Sequence, residues 1–267
     1  MADMVQTEFG KMGARVKVKA GDAGPIRVDV RRDNMGEYFE VRHGAEVAVR
    51  VLEVTPTDRH LVLRARMGAG RNGRRRARTV DRTFLCGRDE NKWFVAAVPE
   101  AASASTVQGA KDALKPREVW DSIRAHNVPP QRRDLRRNEA FLRQGEWFFL
   151  PRPALKVDPA RVLEHEPLKR GDLSKPHDCR YGYRVGGIVV WVCNAYPNGL
   201  THEERAKLPR EERKGRVWNQ MFRNPEFYAK GTVSHVDHKP IWLPCWHLVV
   251  MNRERDAAAM RNVAFLD

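Results

Sequence analysis

The sequence has no long apolar run. None exceeds the length of Ile188 to Cys193, which suits a single strand, whereas a membrane-spanning helix needs about 20 apolar residues. Residues 1–13 also lack the positively charged stretch and following apolar stretch of a secretory signal. We therefore expect a cytoplasmic protein that does not cross a membrane.

Several motifs of nucleotide-using and hydrolytic enzymes are missing. The chain has no Gly-x-x-x-x-Gly-Lys-Ser/Thr loop, no Gly-x-Gly-x-x-Gly after a strand and no Gly-x-Ser-x-Gly elbow. These absences argue against a P-loop enzyme, a dinucleotide-dependent enzyme and a serine hydrolase. Internal repeats of the length typical of solenoids and propellers are also missing.

Cysteine is scarce and never forms a Cys-x-x-Cys pair. The four cysteines are Cys86, Cys179, Cys193 and Cys245. In a reducing compartment a chain of this size needs no disulfides, so free thiols are the first expectation. A structural zinc site is the alternative, because His177-x-Cys179 and Cys245-x-His247 each place two ligands on one face of a strand.

Basic residues are abundant. Lys and Arg number 49 against 34 Asp and Glu, which gives a formal net charge of +15, while 42% of the residues are hydrophobic. The apolar fraction is sufficient for a folded core. The excess positive charge attracts polyanions, so nucleic acid is the expected partner. A surplus that serves solubility alone is the alternative.

The first half of the chain alternates between apolar and charged residues. This period of two predicts short antiparallel strands with one wet face. The alternating segments are Arg15–Lys19, Ile26–Val30, Tyr38–Val41, Val47–Leu52 and Leu61–Ala65. A hairpin is predicted at Thr83–Gly87 and Trp93–Val98, followed by two short helices. We assign residues 1–130 to a β-rich basic region.

A glycine-punctuated basic run, Met67 to Arg78, follows these strands. Arginines at this density neutralise several phosphates in a salt-dependent manner, which predicts sequence-independent contact with nucleic acid. The candidate contact residues are Arg71, Arg74, Arg75, Arg76 and Arg78. A solvated linker is the alternative interpretation of this run.

Residues 131–267 differ in character and hold most of the histidines and tryptophans. We predict a strand at Ile188 to Cys193, helices over Thr201 to Leu208 and Glu211 to Phe222, and a terminal hairpin and helix. The predicted fold class is therefore α+β, with a β-rich N-terminal region and a mixed α+β C-terminal region.

Two segments interleave basic and aromatic residues. In the second, Trp218 to Tyr228, Arg223 and Lys230 accompany Phe222, and a core face is the alternative interpretation. The better candidates belong to the first segment, which consists of Arg180, Tyr181, Tyr183 and Arg184. Aromatic rings beside arginine can stack on unpaired bases and hold the backbone, as in proteins that bind single strands or RNA. These four residues are the second group of candidate nucleic-acid contacts.

Residues 232–263 are predicted to form strand, strand and helix. Asp237 and His238 end the first strand, Asn252 ends the second and Asn262 lies on the helix. This arrangement resembles the HNH, or ββα-metal, endonuclease motif. The apolar loop Ile241 to Pro244 and the position of Asn262 at the very end of the helix depart from that pattern.

The resemblance implies a role for each of the four residues. His238 would be the general base that activates water and Asn252 would orient it, whereas Asp237 and Asn262 would bind one divalent cation. Mg²⁺ or Mn²⁺ would suit such oxygen ligands better than Zn²⁺. A decorated hairpin without catalysis is the alternative interpretation of these residues.

Three functions therefore remain open at the level of sequence. The first is a nucleic-acid-binding protein that holds the phosphate backbone with the arginine-rich run and the basic strands. The second is a metal-dependent HNH-like endonuclease built on the C-terminal hairpin and helix. The third is a basic scaffold or assembly subunit that binds an acidic protein, since no established RNA- or DNA-binding signature is present.

Overall fold

The protein is mostly β, which corrects the predicted α+β class. A computed structural model describes residues 2–21, 26–68, 79–169 and 175–257. Of these residues about 50% lie in strands and 20% in helices, and the strands form four sheets. Within the described ranges, no helix combines the length and apolar character that a membrane crossing requires.

The chain divides into two compact units. Among the described residues, 2–120 and 252–257 form the first unit, and 121–251 form the second. The division falls ten residues before the predicted boundary at 130 and 131, inside the helix Arg117–Ala125. Residues 252–257 also belong to the first unit, although the predicted boundary assigned them to the second region.

The first unit contains one long helix, seven strands and a shorter helix. Its elements are α1 (Ala2–Lys11), β1 (Val16–Ala20), β2 (Arg27–Asp33), β3 (Gly36–His43), β4 (Val47–Thr55), β5 (His60–Met67), β6 (Val80–Asp89), β7 (Lys92–Val98) and α2 (Val107–Leu114), with α3 (Arg117–Ala125) at the division. The strands form sheets of order β1-β3-β2 and β4-β5-β6-β7. The second is an antiparallel meander, as the alternating pattern and short turns predict.

The β4–β7 sheet is covered on both faces. On one face, Phe39 of β3 contacts Phe9 of α1, with ring centroids 5.0 Å apart, and Trp93 of β7 at 5.5 Å. On the other face the apolar side of α2 packs on Val62 and Leu85. Helix α2 begins after Thr106, because the side chain of this residue accepts a hydrogen bond from the Gly109 amide.

The second unit carries the remaining strands. Its elements are β8 (Leu142–Gln144), β9 (Trp147–Pro151), β10 (Leu163–Leu168), β11 (His177–Val185), β12 (Ile188–Cys193), β13 (Tyr196–Leu200), α4 (His202–Ala206), α5 (Arg210–Arg213), β14 (Asn219–Arg223), β15 (Glu226–His235) and β16 (His238–Met251). Six of the strands form an antiparallel sheet of order β10-β11-β15-β16-β9-β8, and the other three form a sheet of order β13-β12-β14.

The six-stranded sheet curls around its own core. Strand β9 pairs with the end of β16, where Trp147 lies opposite Met251. The hairpin that precedes β9 nevertheless contacts the beginning of β16, because the Gln144 side-chain amide donates a hydrogen bond of 2.7 Å to the Lys239 carbonyl. Both ends of one 14-residue strand are thus brought to the same hairpin. The enclosed core includes Phe149, Cys179, Val233 and Leu243.

The overestimated helix content has a local cause. The prediction of a helix over Glu211 to Phe222 was wrong, because α5 ends at Arg213 and Asn219–Arg223 is strand β14. The apolar spacing of Trp218, Met221 and Phe222 imitates a helical face. Pairing of β14 with β12, where Val189 lies opposite Phe222, overrides that local pattern. The terminal segment begins as the 3₁₀ helix Arg253–Asp256.

We expect Glu40→Gln to reduce the pH dependence of the free energy of unfolding of the first unit at acid pH. Arg42 and Lys19 bond the buried Glu40 carboxylate and lower its pKa from 4.5 to about 2. Because the folded pKa lies below the unfolded one, this stabilisation is present above pH 4.5 and is lost as the pH falls towards 2. Urea unfolding at successive pH values measures the slope.

The exposed residue Glu46, changed to Gln, provides the matched control in the same unit. An unchanged slope in Glu40→Gln would contradict the assignment.

Candidate metal centre

Three histidines meet at one end of the six-stranded sheet. His177 begins β11, His235 ends β15 and His238 begins β16. The two-residue turn Val236-Asp237 sets His235 opposite His238, and the pairing of β11 with β15 brings in His177. One ring nitrogen of each histidine lies within 4.8 Å of those of the other two. We call these residues the three-histidine cluster.

The His177 ring is stacked against those of His235 and His238, with planes inclined by 24° and 18°, whereas His235 and His238 are tilted by 33° to each other. The centroid of His177 is 4.3 Å from that of His235 and 5.8 Å from that of His238, while the His235 and His238 centroids are 4.9 Å apart. His177 is only 2% exposed, whereas His235 and His238 are each partly exposed. The cluster is therefore enclosed on the His177 side and accessible from the β15–β16 turn.

His177 presents a neutral ring to the cluster. Burial, together with the adjacent rings of His235 and His238, lowers its pKa from 6.5 to about 3. Its Nε2 atom is buried and has no hydrogen-bond partner in the described structure. Leaving such an atom unsatisfied costs about 1–3 kcal/mol. A metal ion would satisfy it, because a neutral imidazole nitrogen is a metal ligand.

His235 is oriented by its own turn. The backbone N–H of Asp237 donates a hydrogen bond of 3.1 Å to His235 Nδ1. Burial lowers the pKa of His235 and His238 adds to the decrease, while Asp237 and a hydrogen bond to the backbone of Lys175 oppose it. In a neutral ring whose Nδ1 accepts this hydrogen bond, Nε2 carries the proton, so His235 can offer a lone pair to a metal only once the contact with the Asp237 amide is released.

Gly145 lies directly against the cluster. It occupies the β8–β9 turn with a φ of +57°, and a Cβ added there would lie 3.1 Å from His238 Nε2 and 3.7 Å from His177 Nε2. These contacts identify Nε2 as the nitrogen that both rings direct towards the turn. A glycine at this position therefore leaves room beside the two nitrogens that any side chain would fill.

The structure places the residues of the HNH-like prediction as follows. Asp237 lies in the turn beside His238, and its Oδ2 accepts a hydrogen bond of 2.9 Å from Lys175 Nζ. Asn252 belongs to the first unit and caps the 3₁₀ helix, since its side chain accepts a hydrogen bond from the Glu254 amide. Asn262 lies outside the described residues. The assignment of His238 as base and Asn252 as its orienting residue remains a prediction.

The cysteine–histidine pairs do not form a cluster of three ligands in the described part of the chain. Cys179 is fully buried in the sheet core, and burial raises its thiol pKa to about 12. His247 Nδ1 instead bonds the Cys245 carbonyl at 2.8 Å. Of the residues in those two pairs, His177 alone belongs to the three-histidine cluster.

The candidate nucleic-acid contacts on β11 differ in their surroundings. Arg180 is exposed and lies over the partly exposed Tyr181 ring, at 5.4 Å from its centroid. Tyr183 is buried, and Arg184 forms an ion pair of 2.9 Å with Glu166. The arginine-rich candidates Arg71, Arg74, Arg75, Arg76 and Arg78 all lie outside the described residues.

Sequence reasoning placed His235 and His238 in one candidate hairpin but did not group His177 with them. His177 was assigned to a cysteine pair, His238 to a catalytic pair, and Gly145 was not identified. The two ends of the cluster are separated by about sixty residues of sequence, and local spacing carries no signal for such contacts. Knowledge that β11 pairs with β15 would have placed His177 beside His235.

Comparison with protein-family models, with curated proteins and with solved structures gave no match. The fold and the site alone therefore define the class, which is a mostly β protein with a three-histidine candidate metal centre.

We expect Gly145→Ala to weaken metal binding at the cluster by at least about tenfold, or about 1.4 kcal/mol. The new methyl group would crowd His238 Nε2 and His177 Nε2. Isothermal titration of the metal-free protein with Zn²⁺ measures the effect.

Gly186→Ala is the matched control. Gly186 has a comparable φ of +73°, but a Cβ there meets nothing within 4 Å. The control therefore carries the backbone strain without the contact, and it should retain wild-type affinity. Equal losses in both variants would attribute the effect to strain.

Proposed function

We propose that this chain is a metal-binding protein whose three-histidine cluster binds a transition-metal ion, with Zn²⁺ as the preferred candidate. The observation that carries the proposal is the enclosed Nε2 of His177, which lacks a hydrogen-bond partner and faces two further imidazoles. A buried polar atom of this kind needs a ligand to offset its lost hydration.

The ligand type favours Zn²⁺ over the Mg²⁺ or Mn²⁺ implied by the HNH resemblance. Imidazole nitrogens suit zinc, copper, nickel and iron, whereas magnesium and manganese prefer carboxylate, carbonyl and water oxygens. All three members of the cluster are histidines, and the carboxylate of Asp237 is bonded to Lys175. The low pKa of His177 keeps it unprotonated, as metal coordination requires.

The number of ligands bears on the role of the ion. Zinc sites with four protein ligands are usually structural, whereas those with three keep a position for water or substrate. Within the described ranges the cluster contains three such ligands. A bound Zn²⁺ would there act as a Lewis acid and lower the pKa of a water molecule. His235 and His238 lie on the accessible side from which a substrate would enter.

Metal analysis of the purified protein tests this proposal. We expect one Zn²⁺ per chain, which Co²⁺ replaces with the visible spectrum of a site of low coordination number. Replacing His177, His235 or His238 with Ala should each weaken binding more than about 100-fold, since loss of even an outer-shell partner costs 10- to 100-fold.

His202→Ala is the matched control, because His202 is exposed at the start of α4 and is not a member of the cluster. Full metal content in the cluster variants, or none in the wild type, would reject the proposal.

Nucleic acid is the second candidate, as the partner of the same unit. Arg180 lies on β11, three residues after His177, and remains exposed beside Tyr181. Its guanidinium donates a hydrogen bond of 3.1 Å to His165 Nε2, and His165 Nδ1 donates one of 3.1 Å to Asp178. His165 adopts a φ of +52°, which is rare for residues other than glycine. The network supports Arg180 as an oriented contact for a phosphate.

A phosphodiester-cleaving enzyme would combine the two proposals. A phosphate held at Arg180 would lie about 10 Å along the strand from His177, at 3.3 Å per residue. It would also lie on the exposed face of β11, opposite to the buried His177 side chain, so the cleaved bond would have to be another one along the same bound strand. Such an enzyme retains the metal-dependent nuclease hypothesis with a different ligand set from the HNH pattern. A basic scaffold that binds an acidic protein remains the further alternative.

We expect the protein to bind a labelled 20-nucleotide oligothymidylate with an affinity that falls steeply as salt increases. Arg180→Ala should reduce the affinity several-fold and should decrease the slope against salt by about one contact. Fluorescence anisotropy measures both quantities, and gels of the same mixtures with and without Zn²⁺ report cleavage.

Lys11→Ala removes an equal charge from the exposed surface of the first unit and serves as the control. If the two substitutions weaken binding equally, Arg180 contributes only to the overall positive charge and is not a specific contact. Binding without cleavage would reject the enzyme, and the absence of binding would leave the scaffold.

A further inference from the structure

We infer that the three-stranded sheet β13-β12-β14, with α4 packed on it, binds single-stranded nucleic acid by stacking a base on Phe222. The inference rests on the proposal that the partner is nucleic acid, and it specifies the form of that partner and the residue that contacts it. Phe222 lies in the second basic and aromatic segment of the sequence, Trp218 to Tyr228, whereas the sheet that carries it was not predicted.

The sheet carries a continuous stack of rings and guanidinium groups. The Arg205 guanidinium lies between two indoles, at 4.7 Å from the Trp191 ring centroid and 4.9 Å from that of Trp218. Trp218 in turn stacks on Tyr196, with centroids 5.8 Å apart and planes inclined by 15°. The Arg216 guanidinium also lies over the Tyr196 ring, at 5.7 Å from its centroid.

This stack is held rigidly. Helix α4 begins with reciprocal hydrogen bonds, in which Thr201 Oγ1 accepts from the Glu204 amide and Glu204 accepts from the Thr201 amide. Arg205 on that helix is inserted between the indoles, and its Nε has no hydrogen-bond partner in the described structure. Tyr196 is fixed by a hydrogen bond of 2.8 Å to Glu212. A prepared surface of this kind lowers the entropic cost of binding.

Phe222 extends the same face and is not covered. Gln220 and Phe222 lie on one side of β14, since they are two residues apart, and Trp218 immediately precedes this strand. Trp191 lies opposite Gln220, and Val189 lies opposite Phe222. Val189 is 42% exposed and Phe222 is 45% exposed. The stack thus leads to an accessible aromatic ring on an apolar border, where a base could stack.

The charge around this face favours a nucleic-acid strand, rather than an apolar protein surface, as the partner that binds it. Between residues 188 and 223 the chain has seven Lys and Arg against four Glu, within a chain of net charge +15. A ring beside cations matches a base attached to a phosphate, and this combination is typical of single-strand binding. A duplex hides the faces of its bases in the stack, so it cannot offer them to Phe222.

Fluorescence anisotropy with labelled 20-nucleotide oligothymidylate tests the inference, with a duplex of the same length as the comparison. We expect the single strand to bind more tightly. Phe222→Ala should weaken single-strand binding by about 5- to 100-fold, because stacking of one base contributes about 1–3 kcal/mol. Its effect on the duplex should be less than twofold.

Three further variants separate stacking from other causes. Phe222→Leu keeps apolar bulk without a ring and should resemble the Ala variant, whereas Phe222→Trp should restore binding. Trp242→Ala removes another exposed aromatic residue, on β16, and should bind as the wild type does. Unchanged thermal unfolding of the Phe222 variants would show that they fold.

The outcomes distinguish this inference from the proposal that nucleic acid is the partner. If the wild type binds neither form, the nucleic-acid partner itself fails. If it binds both forms and Phe222→Ala changes neither, the partner stands and the stacking surface is rejected. If Phe222→Ala weakens the binding of single strand and duplex equally, the inference is likewise overturned.

Discussion

The burial of a neutral histidine is the constraint on which the second unit depends. His177 begins a central strand with 2% of its surface exposed, so its ring cannot be hydrated. Protonation is unfavourable there, first because burial removes the hydration of a charged ring and second because His235 and His238 lie beside it, so the pKa of His177 is lowered. A metal ion that accepts the Nε2 lone pair would satisfy this atom. The turn at Gly145 and the strand ends at His235 and His238 surround the location where that ion would lie.

The curl of the six-stranded sheet makes this arrangement possible. In a flat sheet, a hairpin that pairs with the end of β16 could not also contact its beginning. Here Trp147 pairs with Met251, while Gln144 bonds the backbone of Lys239. Register shifts near Gly231 and His235 interrupt the pairing of β15 with β16, and such bulges increase twist and bending. The sheet can thereby return its first hairpin to its histidine-bearing end.

Local features could be predicted from sequence, and long-range pairing could not. The two short helices after the hairpin of β6 and β7 were predicted, and they are α2 and α3. The α+β class was wrong because Trp218 to Phe222 has helical spacing but pairs as a strand. The histidines were recognised as metal ligands or bases. Their grouping depends on strand order, which local periodicity does not specify.

The choice of ligands also determines the charge of the proposed centre. Three neutral imidazoles leave the two positive charges of a divalent ion uncompensated, unlike carboxylate ligands, which would cancel them. The nearby carboxylate of Asp237 is already bonded to Lys175. A filled centre would thus add positive charge at the start of β11, the strand that carries the exposed Arg180. Metal binding and attraction of a polyanion would then reinforce each other, since both increase the positive potential along one strand.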